Sequence, residues 1–295
     1  MILKSLKLFW HYLPFTKVHA FHHLKMLIYQ HLVRNLMKLN YRKLVVKTIE
    51  GISYELDLSE SIEASLYYSG IYELETLRCL QKYITNDMIV FEIGANIGSH
   101  SFEIAKLLQQ GSGKLYCFEP TDYAFAKLIK NHELNNFTNI TFEKIALSDS
   151  EGSQVITPTS SLETMAFTAS WDIKDGSSKN AREQQIFFTT LDLYVQKHAL
   201  QCVDLLKIDV DGYELKVITG GYETISQHHP IIIIELSECM LQYVGVRLEE
   251  LLSLLQSLGY TFRPVFTQKI LDIPDLIREV KNRQSLDCVC LYETS

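Results

Sequence analysis

The chain has 295 residues, 47% of them hydrophobic, and a formal net charge of −7. That much apolar material can bury a large core and excludes disorder over most of the length. The charge is uneven. Residues 1–47 hold nine Lys and Arg and no Asp or Glu, which leaves nineteen basic and thirty-five acidic residues in the remainder, a balance of −16. An acidic body argues against unspecific wrapping of nucleic acid.

Residues 1–45 read as two basic amphipathic helices broken at Pro14, a helical extension ahead of a domain at 46–295. Phe21, Leu24, Ile28 and Leu32 fall at helical spacing among basic residues. That pattern suits a helix docked on protein, and it also suits one lying on an anionic membrane surface. The five histidines at 11, 19, 22, 23 and 31 lack regular metal-ligand spacing. No run has the length of a membrane span, and no clean apolar block with a small-residue cleavage site marks a signal peptide. Cys117, Cys288 and Cys290 lie in apolar strand-like runs, and the C-x-C pair has no second pair nearby. A reducing, cytoplasmic location is expected, with peripheral membrane contact through residues 1–45.

VKTIEGISYELDLSE, residues 46–60, alternates around a glycine and predicts a hairpin. Residues 61–84 predict a helix entry and a long amphipathic helix. From Met88 onward apolar strands alternate with helices. The strands are expected at 89–93, 114–118, 140–145, 204–208, 230–234, 260–265 and 287–291, the helices at 99–109, 122–133, 213–226 and 247–257. Strands this apolar are buried on both faces, as in a mostly parallel α/β sheet with helices on each side. The stretch containing DIPDLIREV reads as loop-rich. Residues 150–200 break the rhythm and read as an insertion, partly strands, over the active-site edge.

VFEIGANIGS, from Val90 to Ser99, reads as a buried strand, a glycine turn and a helix start. Backbone amides at such a turn hold an anionic or polar ligand group. Gly94 lets the chain turn, Gly98 lets helix and ligand approach, and Glu92 lies at the strand's carboxyl end. Glu119 ends the next strand, where a carboxylate accepts hydrogen bonds from ribose hydroxyls. Asp149 falls at the tip of the third strand, where an adenine amino group is read. In LLKIDVDGYE, Lys207 and Asp209 share a strand face, and a Lys in so apolar a strand needs an acidic partner or an open end. Glu235, after PIIII, is the matching acid on the next strand. Asp209 and Glu235 can act as base and orienting group, or hold one divalent ion such as Mg²⁺.

Taken in order, FEIGANIGSH, CFEP, IALSD, TTLDLY, LLKIDVDGYE and IIIIELSE, preceded by YSGIYELE, resemble the FkbM family of S-adenosylmethionine (SAM)-dependent methyltransferases over roughly residues 50–295. The resemblance implies a class I methyltransferase fold, a Rossmann-like seven-stranded sheet of order 3-2-1-4-5-7-6 with the seventh strand antiparallel. It implies that Glu92, Gly94, Ala95, Asn96 and Gly98 line the methionine and ribose of SAM. Glu119 would hold the ribose hydroxyls, Ala146 and Asp149 would border adenine, and Glu73 would close over the cofactor. Lys207, Asp209 and Glu235 become the candidate catalytic residues. Two positions depart from the family pattern, Glu92 for the usual Asp and Asp211 for the usual Glu, and both keep the charge.

The function this implies is O-methylation of a hydroxyl on a sugar, glycan or related small molecule. A nicotinamide dehydrogenase would carry the fuller G-x-G-x-x-G. A nucleic-acid methyltransferase is the alternative that residues 1–47 favour, although DVDG stands where amino-methylating enzymes carry Asn- or Asp-Pro-Pro-Tyr. No nucleic-acid partner is expected. The third alternative, a non-catalytic binding protein retaining the fold, would not need acids at 92, 119, 209 and 235.

Overall fold

The computed structural model describes residues 44–58, 60–156 and 183–293. The expected helices of the basic extension and the middle of the 150–200 insertion lie outside the described residues. The chain divides into two compact units, one ending at Tyr72 and one beginning at Glu73.

In the first unit, the alternating segments LVVKTI and ISYELD pair as an antiparallel hairpin, β1 (Leu44–Ile49) and β2 (Ile52–Asp57). Glu50 and Gly51 make the turn with φ of 49° and 86°, the geometry whose twist matches a two-residue hairpin. Ile52, Tyr54 and Leu56 are the buried face of β2. Helix α1 (Ser61–Ser69) follows and ends on Gly70 in the left-handed conformation.

The second unit runs α2 (Leu74–Tyr83), β3 (Ile89–Ile93), α3 (Ser101–Leu108), β4 (Lys114–Phe118), α4 (Asp122–Glu133), β5 (Ile140–Glu143), β6 (Ala146–Leu147), β7 (Gly152–Ile156), β8 (Gln184–Thr189) and α5 (Leu191–Lys197). It continues through β9 (Leu205–Ile208), α6 (Glu214–Gly220), α7 (Tyr222–His228), β10 (Ile231–Ser237), α8 (Glu238–Tyr243), α9 (Leu248–Ser257), β11 (Tyr260–Pro264), α10 (Ile273–Arg283) and β12 (Ser285–Tyr292).

Seven strands form one sheet in the order β11-β12-β10-β9-β3-β4-β5. The central pairings are parallel, and β12 runs antiparallel to both β10 and β11. This is the expected class I methyltransferase sheet, helices covering both faces. Phe91, Ile93, Phe118, Leu206, Ile208, Ile232 and Ile234 join Leu251, Leu255 and Leu276 in one buried cluster. The alternate positions, Glu92, Lys207, Glu235 and Asp287, therefore face the other way. That second face meets α2 and α3, whose Thr76 and Ser101 hydroxyls donate to Asp287 and Glu92.

The structure corrects four expected elements. The strand at 140–145 stops at Glu143, because Ala146 and Leu147 leave the main sheet and pair with β8 in a small sheet of order β6-β8-β7. The described flanks of the insertion are thus strands, β7 and β8 pairing antiparallel. The helix entry expected ahead of ELETLRCLQKYI is itself a helix, α1, closed at Gly70 before α2 begins. The helix at 213–226 breaks at Gly220-Gly221; a Cβ on Gly220 would lie 1.9 Å from Ser148 O, so the glycine lets the β6–β7 loop press against this joint. DIPDLIREV is not loop but the start of α10. Asp272 caps it, Oδ1 accepting from Asp275 N at 2.8 Å, with proline in the first turn.

Candidate active site

The turn after β3 is built from three left-handed residues, Gly94 (φ 91°), Asn96 (49°) and Gly98 (90°). The amides of Gly94 and Ala95 both donate to Phe118 O, at 2.9 and 3.0 Å, which ties the turn to the end of β4. A Cβ on Gly94 would lie 1.8 Å from Asp209 O, so only glycine lets this turn touch the end of β9. Buried Asn131 of α4 donates to Ile97 O at 3.0 Å and pins the turn's far side.

Glu119, one residue past β4, is buried at the same edge. One carboxylate oxygen accepts from Asn96 N at 3.0 Å, the other from Thr121 N at 2.9 Å and from the Thr121 hydroxyl. Burial raises its pKa, and those donors from Thr121 and Asn96 pull against the rise.

Glu92 lies deeper, 1% exposed, where it accepts from the Ser101 hydroxyl at the start of α3. Its cross-strand partner is Lys207 on β9. Burial pushes the Glu92 carboxyl up to about 7, a rise that Lys207, Ser101 and Cys117 only partly oppose. The Lys207 ammonium reaches outward instead, to Asp209 Oδ2 at 3.0 Å. The acidic partner that the sequence demanded for this lysine is Asp209. Burial alone would lower the lysine's pKa, but Asp209 and then Glu92 more than offset it, and Lys207 is held charged.

Asp209 and Glu235 each lie one residue beyond the last paired position of β9 with β10, Ile208 with Ile234. Glu235 in turn pairs directly with Asp287 of β12. Three carboxyls therefore stand in a row across the carboxyl edge of the sheet, the edge where ligands bind in open α/β folds. Asp209 hydrogen-bonds Glu235, and the Thr76 hydroxyl of α2 donates to Asp287. Burial works to raise the Asp209 pKa, but Lys207's charge and hydrogen bond prevail and lower it. Glu235 has no such cation; burial first, then Asp209, Asp287, Glu73 and Asp211, raise it well above the carboxylate range. The two carboxyls are thus pushed in opposite directions, Asp209 down and Glu235 up.

Glu73 precedes α2 in a left-handed conformation, φ 46°, and its Oε2 lies 3.8 Å from Nε2 of buried His100. The structure brings Gly94, Ala95, Asn96, Gly98, Glu119 and Asp209 together at one edge. Ala146 and Asp149 belong to the β6–β7 segment; Asp149 is exposed and accepts from the Ser148 hydroxyl at 3.1 Å. Sequence reading missed Asp287 and Thr76, which no local motif marks. Among the described residues, no group of three or more His, Cys, Asp or Glu could hold a metal ion.

A seven-stranded sheet of this order, with a glycine turn after its first central strand and an acid closing the next, defines a class I SAM-dependent methyltransferase. The Methyltransferase FkbM domain model matches residues 92–262, and the chain belongs to that family. It is similar to the 2-O-methyltransferase NoeI of Sinorhizobium fredii, 27% identical over 180 residues that cover 58% of this chain and 72% of the relative. It is also similar to the hexuronic acid methyltransferase AglP of Haloferax volcanii, 24% identical over 163 residues, 55% of this chain and 61% of that one. The solved FkbM methyltransferase of Methylobacillus flagellatus matches with a TM-score of 0.44 and 16% identity, over 79% of this chain and 48% of that chain. The chain thus spans about half the length of that solved relative.

The site fits the cofactor SAM. Glu119 offers only acceptor oxygens, which suits hydroxyl donors, and its two anchors fix it beside a turn whose backbone is open to close approach. The acids around Asp209 suit a cationic sulfonium.

Proposed function

We propose that the enzyme methylates a hydroxyl group of a sugar, glycan or related small-molecule acceptor. The observation that carries this reading is the pair Asp209–Glu235, side by side at the carboxyl edge of the sheet with the Lys207 ammonium 3.0 Å from Asp209. A hydroxyl at its ordinary pKa is a poor nucleophile and gains from an acceptor for its proton and from orientation. The names of both curated relatives, a 2-O-methyltransferase and a hexuronic acid methyltransferase, support it. DVDG after β9, in place of an Asn- or Asp-Pro-Pro-Tyr segment, supports a hydroxyl over a base amino group.

In this reading Glu92, Gly94, Ala95, Asn96 and Gly98 would line the methionine and ribose of SAM. Glu119 takes the ribose hydroxyls, Ala146 and Asp149 border adenine, and Glu73 closes over the site. SAM supplies a methyl carbon made electrophilic by its sulfonium. Lys207 fixes Asp209 in its ionised form. Glu235 donates to Asp209 and sets its free oxygen toward the acceptor. Asp209 would take the acceptor hydroxyl's proton and pass it to solvent as the new carbon–oxygen bond formed, the methyl–sulfur bond breaking with its electron pair to leave neutral S-adenosylhomocysteine.

Label transfer from SAM to neutral oligosaccharides, uronic-acid glycans and RNA tests this, with mass spectrometry to locate the methyl group. A sugar methyl ether is the expected product; labelling of RNA alone would overturn the reading. A cytoplasmic location with residues 1–45 on an anionic membrane surface is part of the same proposal. Binding to anionic liposomes that is lost on removing residues 1–45 is the expected result. Among the described residues, no helix is long and apolar enough to cross a membrane.

A further inference from the structure

The row of acids has a third member that the reading above leaves without a task. Asp287 sits three positions into β12, directly opposite Glu235 on β10. Paired residues of antiparallel strands have side chains on the same face, their Cα atoms about 4.5–5.5 Å apart. Thr76, 2% exposed on α2, aims its hydroxyl at Asp287 Oδ2. A buried hydroxyl donating to a carboxylate stabilises the ionised form. Lys207, by contrast, is spent on Asp209.

We propose that Asp287, anchored by Thr76, is a positioning residue for the methyl-transfer site: it stands as a fixed anion behind Glu235, so that the proton shared by Glu235 and Asp209 stays on Glu235. This rests on the reading of Asp209 and Glu235 as the acceptor-facing pair. The cause is elementary electrostatics. Ionised carboxylates side by side at a half-buried edge repel, so a carboxyl flanked by two anions holds its proton more tightly. Glu235 is flanked in that way, by Asp209 from the end of β9 and by Asp287 from β12. The other charges acting on it are Glu73 ahead of α2 and Asp211 from the loop after β9, while Lys207 of β9 acts on Asp209 and Asp287. His100 at the start of α3 acts on Asp209. Burial, then Asp209, push the Asp287 carboxyl itself up to about 6, while Thr76 and Lys207 hold it down. The proposed division of roles is Asp209 ionised, Glu235 protonated, Asp287 ionised. With Glu235 protonated, Asp209 keeps a hydrogen-bond donor on one side and a free lone pair for the acceptor hydroxyl on the other.

The test needs no acceptor. Infrared spectra of the full chain, recorded from pH 5 to 9, follow the carbonyl band of protonated carboxyl groups, and Glu235→Gln identifies the Glu235 component. In the wild type that component persists through pH 7. In Asp287→Asn it is lost at a pH at least one unit lower. Thr76→Val shifts it in the same direction by less, and Thr76→Ser restores the wild-type titration, which a merely structural threonine would not require. Each variant is checked for an unchanged melting profile and unchanged binding of S-adenosylhomocysteine. A Glu235 component that titrates alike in the wild type and in folded Asp287→Asn, or that is absent at pH 7, overturns the proposal. Methyl transfer separates this failure from failure of the hydroxyl reading. If Asp209→Asn keeps full activity while the infrared shifts occur, the proton arrangement stands and the assignment of the base falls.

Discussion

Glu92 and Lys207 are direct cross-strand partners on β3 and β9, both all but inaccessible to water, yet the lysine's hydrogen bond goes to Asp209 rather than to Glu92. The ammonium thus serves two acids at different depths. Outward it makes a charge-assisted hydrogen bond at the ligand edge; inward it lowers the cost of a carboxyl sealed beneath α3. Removing such a cation leaves uncompensated charge, which costs about 3–5 kcal/mol for a buried pair. Lys207→Met is expected to lower the melting temperature by roughly 6–12 °C, the lower end applying because Asp209 is 29% exposed. A thermal melt that matched the wild type would rule out this role for the lysine.

Glu92 makes stability depend on pH in a definite direction. Its native carboxyl titrates at about 7, above the unfolded value, so the native state holds a proton the unfolded chain releases near ~4.3. The contribution is therefore full below that unfolded value and is lost as pH rises through 7. Glu214, buried at the start of α6 and also pushed up to about 7 by burial, adds in the same sense. Melting curves at pH 5 and pH 8 should show a smaller decline for Glu92→Gln than for the wild type. An equal decline in both would place the titration elsewhere.

For the cofactor, Glu119→Ala is the sharpest change. It removes an anchored acceptor whose hydrogen bonds to a charged group are worth about 1.5–3 kcal/mol, so affinity for S-adenosylhomocysteine should fall roughly 10- to 100-fold. Calorimetric titration reads this directly.

Asp209→Asn should separate binding from chemistry. The asparagine keeps the shape but cannot take a proton, and loss of general-base help costs about 10²–10⁴-fold in rate. Expected are single-turnover methyl transfer slowed by that factor and binding of S-adenosylhomocysteine within a few-fold of wild type. Equal losses in both would make Asp209 a cofactor residue.

The joint between α6 and α7 offers a test of packing alone. A methyl group at Gly220 would lie 1.9 Å from Ser148 O, a backbone atom with little freedom to move. Gly220→Ala should cost about 1–3 kcal/mol of stability, visible in urea unfolding. Because Ser148 adjoins Asp149, the same variant should weaken cofactor binding if that loop borders adenine.

Much of this was legible in order along the chain. Strands β3 and β4 read off to the residue because each is a short, mostly apolar run closed by a glycine or an acid, as buried strands of an α/β sheet are. Helix α4 was equally clear, announced by Pro120 and Thr121. Helix α10 was missed although its signals were present, Asp272 at the cap and a proline in the first turn. Within the site, Gly94, Glu119, Lys207, Asp209 and Glu235 carry local signatures. Asp287 and Thr76 do not. Their roles arise from the register between β10 and β12 and from where α2 docks, and neither is encoded in neighbouring residues.

The hydrogen bond from Thr76 to Asp287 joins residues 211 positions apart. A contact that distant closes a very long loop, and chains reward such contacts late because the ordering entropy must be met first. Strand β12 must also slot between β10 and β11, strands that precede it in the chain. The half of the sheet that carries the glycine turn and Glu119 depends on nearer neighbours. Assembly of the enzyme therefore has an intrinsic sequence: the nucleotide side can be ordered while the proton-handling side is still incomplete, and only the finished fold can do chemistry on what it holds.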